Sequence, residues 1–424
     1  MTSKAFGTCG GLILGGTHGG LAMARSLGRH GIPVGFVTES YAITSFSRYV
    51  QFSTTWTGAT GDNAASELLE IGRRNRLAGW VLLPVGDAET LMIARHREEL
   101  ASFFRVTTPD WKTAQWALDK HLTYQRADEL GIAHPRTYHP SNRQEIAALE
   151  CQFPLVLKPA SLSEVNAFTL SKAWRVDDKA ALLARYDQAV AATSGSTNIV
   201  LQELIPGSGT SQFSYAALWN RGQPIASLVA RRSRQYPIEF GYTSTFVETI
   251  DNEEVEAAAV RFLQSLDYSG LVEIEFKYDS RTQRYMLLDV NIRSWTWIAL
   301  GGRAGLDFPY LLWLQVTGQP VTAGKARAGV AWMHLSRDFI AVVQEVTSGR
   351  ISPIDYLRSL SASMEFAAFA FDDPMPGIID LPLVASRIIN RRLPLKIKEL
   401  EQNIFSGAAK SAFPIRHSLT SDRE

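Results

Sequence analysis

The sequence predicts an α/β N-terminal domain built on a parallel sheet, followed by lobes of the α+β class. Three observations predict it: strand-like and helix-like segments alternate as far as Phe104, the pattern changes to longer strands and hairpins from Gln212, and 424 residues are too many for one core. Gly11-Leu-Ile-Leu-Gly-Gly16 is a short apolar strand running into glycines. Gly19 to His30 carries helical spacing at Leu21, Ala24 and Leu27, and Pro33-Val-Gly-Phe-Val37 reads as a second buried strand. The alternation continues through helix-like 62–76, strand-like 80–85 and helix-like 88–104. Such a sheet collects ligands at the carboxyl ends of its strands.

A boundary falls near 105–118, around Thr108-Pro-Asp110. Beyond it come a helix-like stretch at 119–130 ended by Gly131, apolar strands at 154–158 and 199–205, and a helix-like 177–192 between them. Hairpins run to Asn291, broken by a helix near 253–266, and after Trp295 the pattern is mostly helical. The expected domains are therefore an α/β domain at 1–108, smaller lobes at 109–200, a hairpin-rich lobe at 201–330 and a helical extension at 331–424. The last of these carries Arg387, Arg391, Arg392, Lys396 and Lys398 among apolar residues, which reads as a basic surface helix packed on the body, the alternative being an amphipathic helix that touches a membrane or partner.

Composition excludes several function classes. Lys+Arg 43 against Asp+Glu 42 gives a net charge of +1, without the basic surplus of a general nucleic-acid binder. Two cysteines, Cys9 and Cys151, lack a metal-like spacing and argue for a reducing interior. No apolar run is long enough to cross a bilayer, and the start at Met1 lacks signal-peptide features, so a cytoplasmic protein is expected.

The chemistry concentrates in Glu273-Ile-Glu-Phe-Lys-Tyr-Asp279 and Tyr285-Met-Leu-Leu-Asp-Val-Asn-Ile-Arg293. Strand side chains alternate faces. The apolar residues Ile274, Phe276, Leu288, Val290 and Ile292 fall on one face, and Glu273, Glu275, Lys277, Asp289, Asn291 and Arg293 on the other. A hairpin symmetric about residue 282 sets Glu275 opposite Asp289. Two such close carboxylates repel unless one is protonated or a cation sits between them. With Asn291 they form an oxygen-rich site suited to Mg²⁺, and Arg293 offers a planar fork for an acyl phosphate or a carboxylate. The same alternation also describes a hairpin with one wet face.

Other segments are ambiguous alone. Lys158 ends the apolar strand Pro154-Leu-Val-Leu-Lys-Pro159, as a snorkelling edge residue or as a phosphate contact. Ile199 to Gly207 is a strand becoming a linker, either an adenine-reading edge or a loop closed by Pro206-Gly207. Lys120 follows the helix cap Asp119. Leu14-Gly-Gly-Thr-His-Gly-Gly20 fails the dinucleotide fingerprint because position 17 is threonine. Its strand-to-helix turn can still bind a carboxylate, which nominates Gly16, Thr17 and His18, with Asp87, for a substrate pocket. A tight turn with a surface histidine is the competing reading.

Taken in order, Asp119-Lys120, Leu157-Lys-Pro159, Gln202-Glu-Leu-Ile-Pro-Gly207, Ala230-Arg-Arg-Ser-Arg-Gln-Tyr-Pro237, Glu275-Phe-Lys277 and Asp289-Val-Asn-Ile-Arg293 resemble the ATP-grasp superfamily. The segment is most similar to its carboxylate–amine ligases and predicted carboligases, related to D-aspartate ligase and biotin carboxylase. The resemblance spans about 10–320. It implies ATP-grasp lobes clasping ATP, with Lys120 and Lys158 on the phosphates, Glu203 and the Ile205 backbone reading the adenine, and Gln202 and Leu204 also binding the nucleotide. It further implies one or two Mg²⁺ ions on Glu275, Asp289 and Asn291, with Mn²⁺ as an alternative, and Arg293 and Arg232 steadying the transferred phosphate. The implied activity is ADP-forming ligation of a small-molecule carboxylate to an amine. A bicarbonate-activating carboxylase and a non-catalytic ATP-binding module are the alternatives, and a homodimer is left open. Three departures stand out: aspartate at 289 where glutamate is usual, no glycine-rich lid after Lys158 (Ser161 and Ser163 being the substitutes), and Trp295-Thr-Trp297, which suggests an aromatic acceptor pocket.

Overall fold

The computed structural model describes residues 9–39, 42–159, 168, 173–193, 199–238 and 243–383. The apolar N-terminal runs form β1 (Gly11–Leu14), β2 (Val34–Thr38), β3 (Val50–Thr55), β4 (Val81–Pro84) and β5 (Arg105–Val106). Their order is β3-β2-β1-β4-β5 with every neighbour parallel, the parallel sheet expected, to which β3 and β5 add strands at its two edges. Gly15 turns the chain out of β1 at φ 96°, a left-handed conformation that suits glycine, and Thr17 Oγ1 then accepts the Gly19 N–H at 3.2 Å to start the helix His18–Arg29. Strand order reverses at β1 and β4, so the loops after these two strands flank the crevice where such sheets bind ligands.

A four-stranded antiparallel sheet follows, from β6 (Thr137–Tyr138), β7 (Leu155–Pro159), β8 (Trp174–Val176) and β9 (Ile199–Glu203) in the order β6-β9-β7-β8. The helix Lys179–Ala192 closes over it, capped by the Asp178 carboxylate on the Ala181 N–H, and buries Leu182 and Tyr186 against Leu155, Leu157 and Leu201. The largest sheet contains β10 (Gln212–Asn220), β11 (Gln223–Tyr236), β12 (Thr243–Ile250), β13 (Gly270–Asp279), β14 (Arg284–Asn291), β15 (Gly324–Lys325), β16 (Val330–Met333) and β17 (Ser363–Phe366). It runs β14-β13-β10-β11-β12-β16-β17, with β15 beside β11. One face buries Tyr215, Trp219, Phe276 and Leu287 with Phe262 of the helix Glu253–Gln264. The other packs Leu228, Val247 and Trp332 with Trp295, Phe308 and the N-terminal domain's Ile13, Met23 and Phe36.

Two expectations are corrected here. The region from 331 is not purely helical, because Val330–Met333 and Ser363–Phe366 are apolar enough to extend the large sheet through β16 and β17. Trp295 and Trp297 are core residues, buried with Phe308, and do not line an aromatic acceptor pocket. Contacts gather Met1–Asp380 into one compact unit and Leu381–Glu424 into a second. The basic segment from Arg387 to Lys398 lies outside the described residues. No helix among the described residues is long and apolar enough to cross a membrane.

The helix Leu335–Thr347 is tied to the sheet by a buried ion pair. Arg234 of β11 meets both Asp338 carboxylate oxygens at 2.9 Å, and Thr245 Oγ1 donates to Asp338 at 2.7 Å. The guanidinium also lies 4.0 Å from the centre of the Phe246 ring. Deleting one member of such a pair leaves the other charge buried without compensation. Asp338→Ala is therefore expected to lower unfolding free energy in urea by about 3–5 kcal/mol. A loss below about 1 kcal/mol, the range of an exposed pair, would contradict this assignment.

Candidate active site

The hairpin of β13 and β14 pairs Glu275 with Asp289 and Glu273 with Asn291, the register that symmetry about residue 282 predicts. A bulge between Glu275 and Phe276 then shifts the pairing, so that Phe276 faces Leu287. This corrects one residue. Leu287 takes the core position expected of Leu288, and Leu288 is turned into a cleft. Beyond the bulge Asp289 and Asn291 keep their place on the polar face.

Each carboxylate of that face has a cation or donor. Lys120 Nζ lies 2.9 Å from Asp289 Oδ2, and Arg232 Nη1 lies 2.5 Å from Glu275 Oε2. Ser214 Oγ donates to Glu273 Oε1 at 2.8 Å, while Asn291 Nδ2 reaches both Glu273 and Glu275 at 3.4 Å. Arg293 forks onto Asp87 of the N-terminal domain at 2.5 and 3.1 Å and donates to Asn291 Oδ1 at 3.1 Å.

The electrostatics follow from burial and neighbours. Burial, and after it the Glu275 carboxylate, pushes Glu273 up to about 7. Burial also raises the Asp289 carboxyl, but the Lys120 ammonium outweighs it and the net shift is downward. Arg232 and Arg293 stay charged, because Glu275 and Asp87 respectively overcome the burial that opposes their charge. Glu273, 4% exposed, is the member that sequence reasoning placed on the polar face without giving it a role. Its hydrogen-bond donor, Ser214 of β10, lies 59 positions away, which local sequence does not reveal.

Beside this face opens a cleft of about 650 Å³ between the small and large sheets, lined by Lys158, the 202–205 strand end, Lys277, Arg281 and Leu288. Lys158 Nζ donates to Gln202 Oε1 at 2.7 Å. Gln202 Nε2 in turn donates to Tyr124 at 2.8 Å, and Tyr124 to the Leu288 carbonyl at 3.0 Å. Tyr124 stands one turn after Lys120 on the helix Lys120–Glu129 and was missed, although that spacing was its signal. Glu203 pairs with Arg281 at 2.8 Å. The N–H of Leu204 donates to Pro154 O at 3.1 Å, and Ile205 is buried. Burial lowers the Lys277 pKa.

At the crevice of the N-terminal sheet, Gly16 and Thr17 are half-buried and Asp87 is exposed, held by Arg293. Glu89, a buried carboxyl raised by that burial, packs against Gly15 and Gly86 and was not nominated from sequence. His18, expected beside Gly16 in a substrate pocket, instead points into the interior, 4% exposed and 2.9 Å from Asp380. As the first residue of a helix whose inner face is apolar, it is covered by the chain that returns at 380. Ser161 and Ser163 lie outside the described residues.

No family model matches the chain. The D-aspartate ligase of Enterococcus faecium (strain Aus0004) is 22% identical over 231 residues, covering 51% of this chain and 53% of that protein, so the match spans about half the relative's length. The biotin carboxylase–β,γ-ATP complex from Campylobacter jejuni superposes with a TM-score of 0.59 at 13% identity, covering 76% of this chain and 74% of that one. The L-amino acid ligase from Bacillus licheniformis gives 0.56 at 16% identity, over 76% and 78%. With its parallel N-terminal sheet, small antiparallel sheet and large sheet bearing the acidic hairpin, the chain has the ATP-grasp fold.

Proposed function

We propose that this protein is an ATP-dependent ligase that activates a small-molecule carboxylate as an acyl phosphate and joins it to an amine, in the cytoplasm. The observation that carries this reading is the meeting of Glu273, Glu275, Asp289 and Asn291 with Lys120, Arg232 and Arg293 beside a cleft of nucleotide size. The likeness to D-aspartate ligase supports it.

The donor set fits a hard divalent cation, since it is all oxygen and gathers on one strand pair. Glu275, Asp289 and Asn291 would hold one or two Mg²⁺ ions, and Mn²⁺ suits the same donors. When bound, the ion neutralises charge on the nucleotide phosphates. Lys120 and Lys158 hold the phosphates, and Gln202 fixes the Lys158 ammonium by accepting from it. Glu203, Leu204 and Ile205 line the adenine end with Leu288 as an apolar wall. Arg293 and Arg232 stabilise the transferred phosphoryl group, and Gly16, Thr17 and Asp87 orient the substrates, Asp87 suiting the amine. A carboxylate oxygen attacks the γ-phosphorus, its bond to the β,γ-bridging oxygen breaks, and ADP departs. The amine nitrogen then attacks the acyl carbon, phosphate leaves with the C–O bonding pair, and the surplus proton passes to solvent. Position and charge supply most of the acceleration.

ADP release measured against pooled amino acids and small carboxylic acids tests this function. Release that requires both an acid and an amine supports it. Release on bicarbonate alone would identify a carboxylase, and tight ATP binding without release a regulatory module. Glu275→Gln and Asp289→Asn are each expected to cut ADP formation by about 100-fold or more while circular dichroism stays unchanged. Normal turnover in both would remove the metal assignment. The pH response is a separate check. Burial pushes Glu273, the neighbour of these ligands, up to about 7, so its ionisation adds negative charge beside the cation and apparent Mg²⁺ affinity should rise from about pH 6 to about pH 8. In Glu273→Gln the rise should flatten, and an unchanged profile would show that this carboxyl is not part of the cation's surroundings.

A further inference from the structure

A second cluster of ligating side chains lies outside the nucleotide cleft. His18 opens the helix His18–Arg29, His334 follows β16, and Asp380 sits in the helical stretch 375–383. They are 4%, 1% and 4% exposed. One ligand atom from each lies within 4.8 Å of the others.

The side chains are arranged as a metal's surroundings would be. Ser336 Oγ lies 3.2 Å from His334 Nδ1 and 2.9 Å from Asp380 Oδ2, so one hydroxyl holds the outer nitrogen of the ring and the outer oxygen of the carboxylate. His18 Nε2 lies 2.9 Å from Asp380 Oδ1, the other oxygen of that carboxylate. The two imidazoles meet edge to face with centroids 4.3 Å apart. A hydrogen bond between His18 and Asp380 accounts for only part of this. Among the described residues His334 Nε2, which is buried, has no hydrogen-bond partner, a costly state for a nitrogen with so little contact with water. Burial, followed by the proximity of His18, holds the His334 ring well below the ordinary imidazole range, and burial likewise lowers His18. Both rings are therefore neutral near pH 7, the form that donates a lone pair.

We propose that His18, His334 and Asp380 bind a zinc ion, oriented by Ser336. Two imidazoles and one carboxylate are donors of the kind zinc takes, and outer partners such as Ser336 commonly fix ligand geometry. The ion joins the N-terminal domain to residues that follow it by 316 and 362 positions in sequence, through β16 and the last helix of the compact unit. Its role is a structural staple, independent of the proposed ligase reaction.

The test is elemental analysis of the full chain, purified without chelator from zinc-supplemented cells. About one zinc per chain is expected, falling about tenfold or more in His334→Ala and Asp380→Ala and retained in Glu275→Gln, which separates it from the nucleotide-side cation. Because either cluster variant could fail to fold, Co²⁺ loading of the wild-type protein gives a second readout. Visible d–d bands of a low-symmetry N/O site, with a higher melting temperature, support the proposal. A wild-type chain that holds no zinc, shows no cobalt bands and melts at the same temperature with and without added Zn²⁺ would overturn it, and would assign the cavity to a buried His–Asp hydrogen bond.

Discussion

Three carboxyl groups on two adjacent strands cannot all be ionised side by side without nearby positive charge. Glu273, Glu275 and Asp289 meet that constraint in different ways. Asp289 is balanced by Lys120 from the helix Lys120–Glu129, and Glu275 by Arg232 from β11. Glu273 has no cation so close and holds its proton up to about 7. The constraint reaches across the fold, because the balancing groups come from separate elements that must be brought to one hairpin. Asn291 joins Glu273 and Glu275, Arg293 joins Asn291 to Asp87, and Asp87 starts a helix at the crevice of the N-terminal sheet.

The same geometry explains why a cation and a nucleotide suit the site together. Lys120 and Arg232 now neutralise carboxylates that a divalent ion would neutralise instead. Once released, the two side chains would be free to take phosphate oxygens. Under the proposed function, loading the metal and turning the cations toward the nucleotide would form one exchange of charge partners. The cleft beside the hairpin, with Leu288 turned into it by the bulge, is where the proposed function seats the rest of the nucleotide.

Sequence alternation was enough to read the hairpin, its polar face and the opposition of Glu275 to Asp289, because strand faces repeat every second residue. It could not show the bulge, which depends on how β13 and β14 slip against each other, and so it misassigned Leu288. Lys120 and Lys158 were legible as motif members, whereas Tyr124 and Ser214 act through contacts that only the folded chain creates. Long-range partners were the least legible. Arg234 and Asp338 are separated by 104 positions and His18 and Asp380 by 362, and no local pattern marks either pair. For the same reason the sequence predicts a helical extension where β16 and β17 form, since strands of four residues resemble turns between helices.

The proposed function requires Glu275 and Asp289 to hold a divalent ion that carries the nucleotide. Crystals grown with Mn²⁺ and a non-hydrolysable ATP analogue, measured at the manganese absorption edge, test it most directly. The account predicts an anomalous peak about 2.0–2.3 Å from oxygens of both carboxylates and in contact with the analogue's phosphates. Nucleotide bound in the cleft with the manganese elsewhere, or with Asp289 still paired to Lys120, would contradict it.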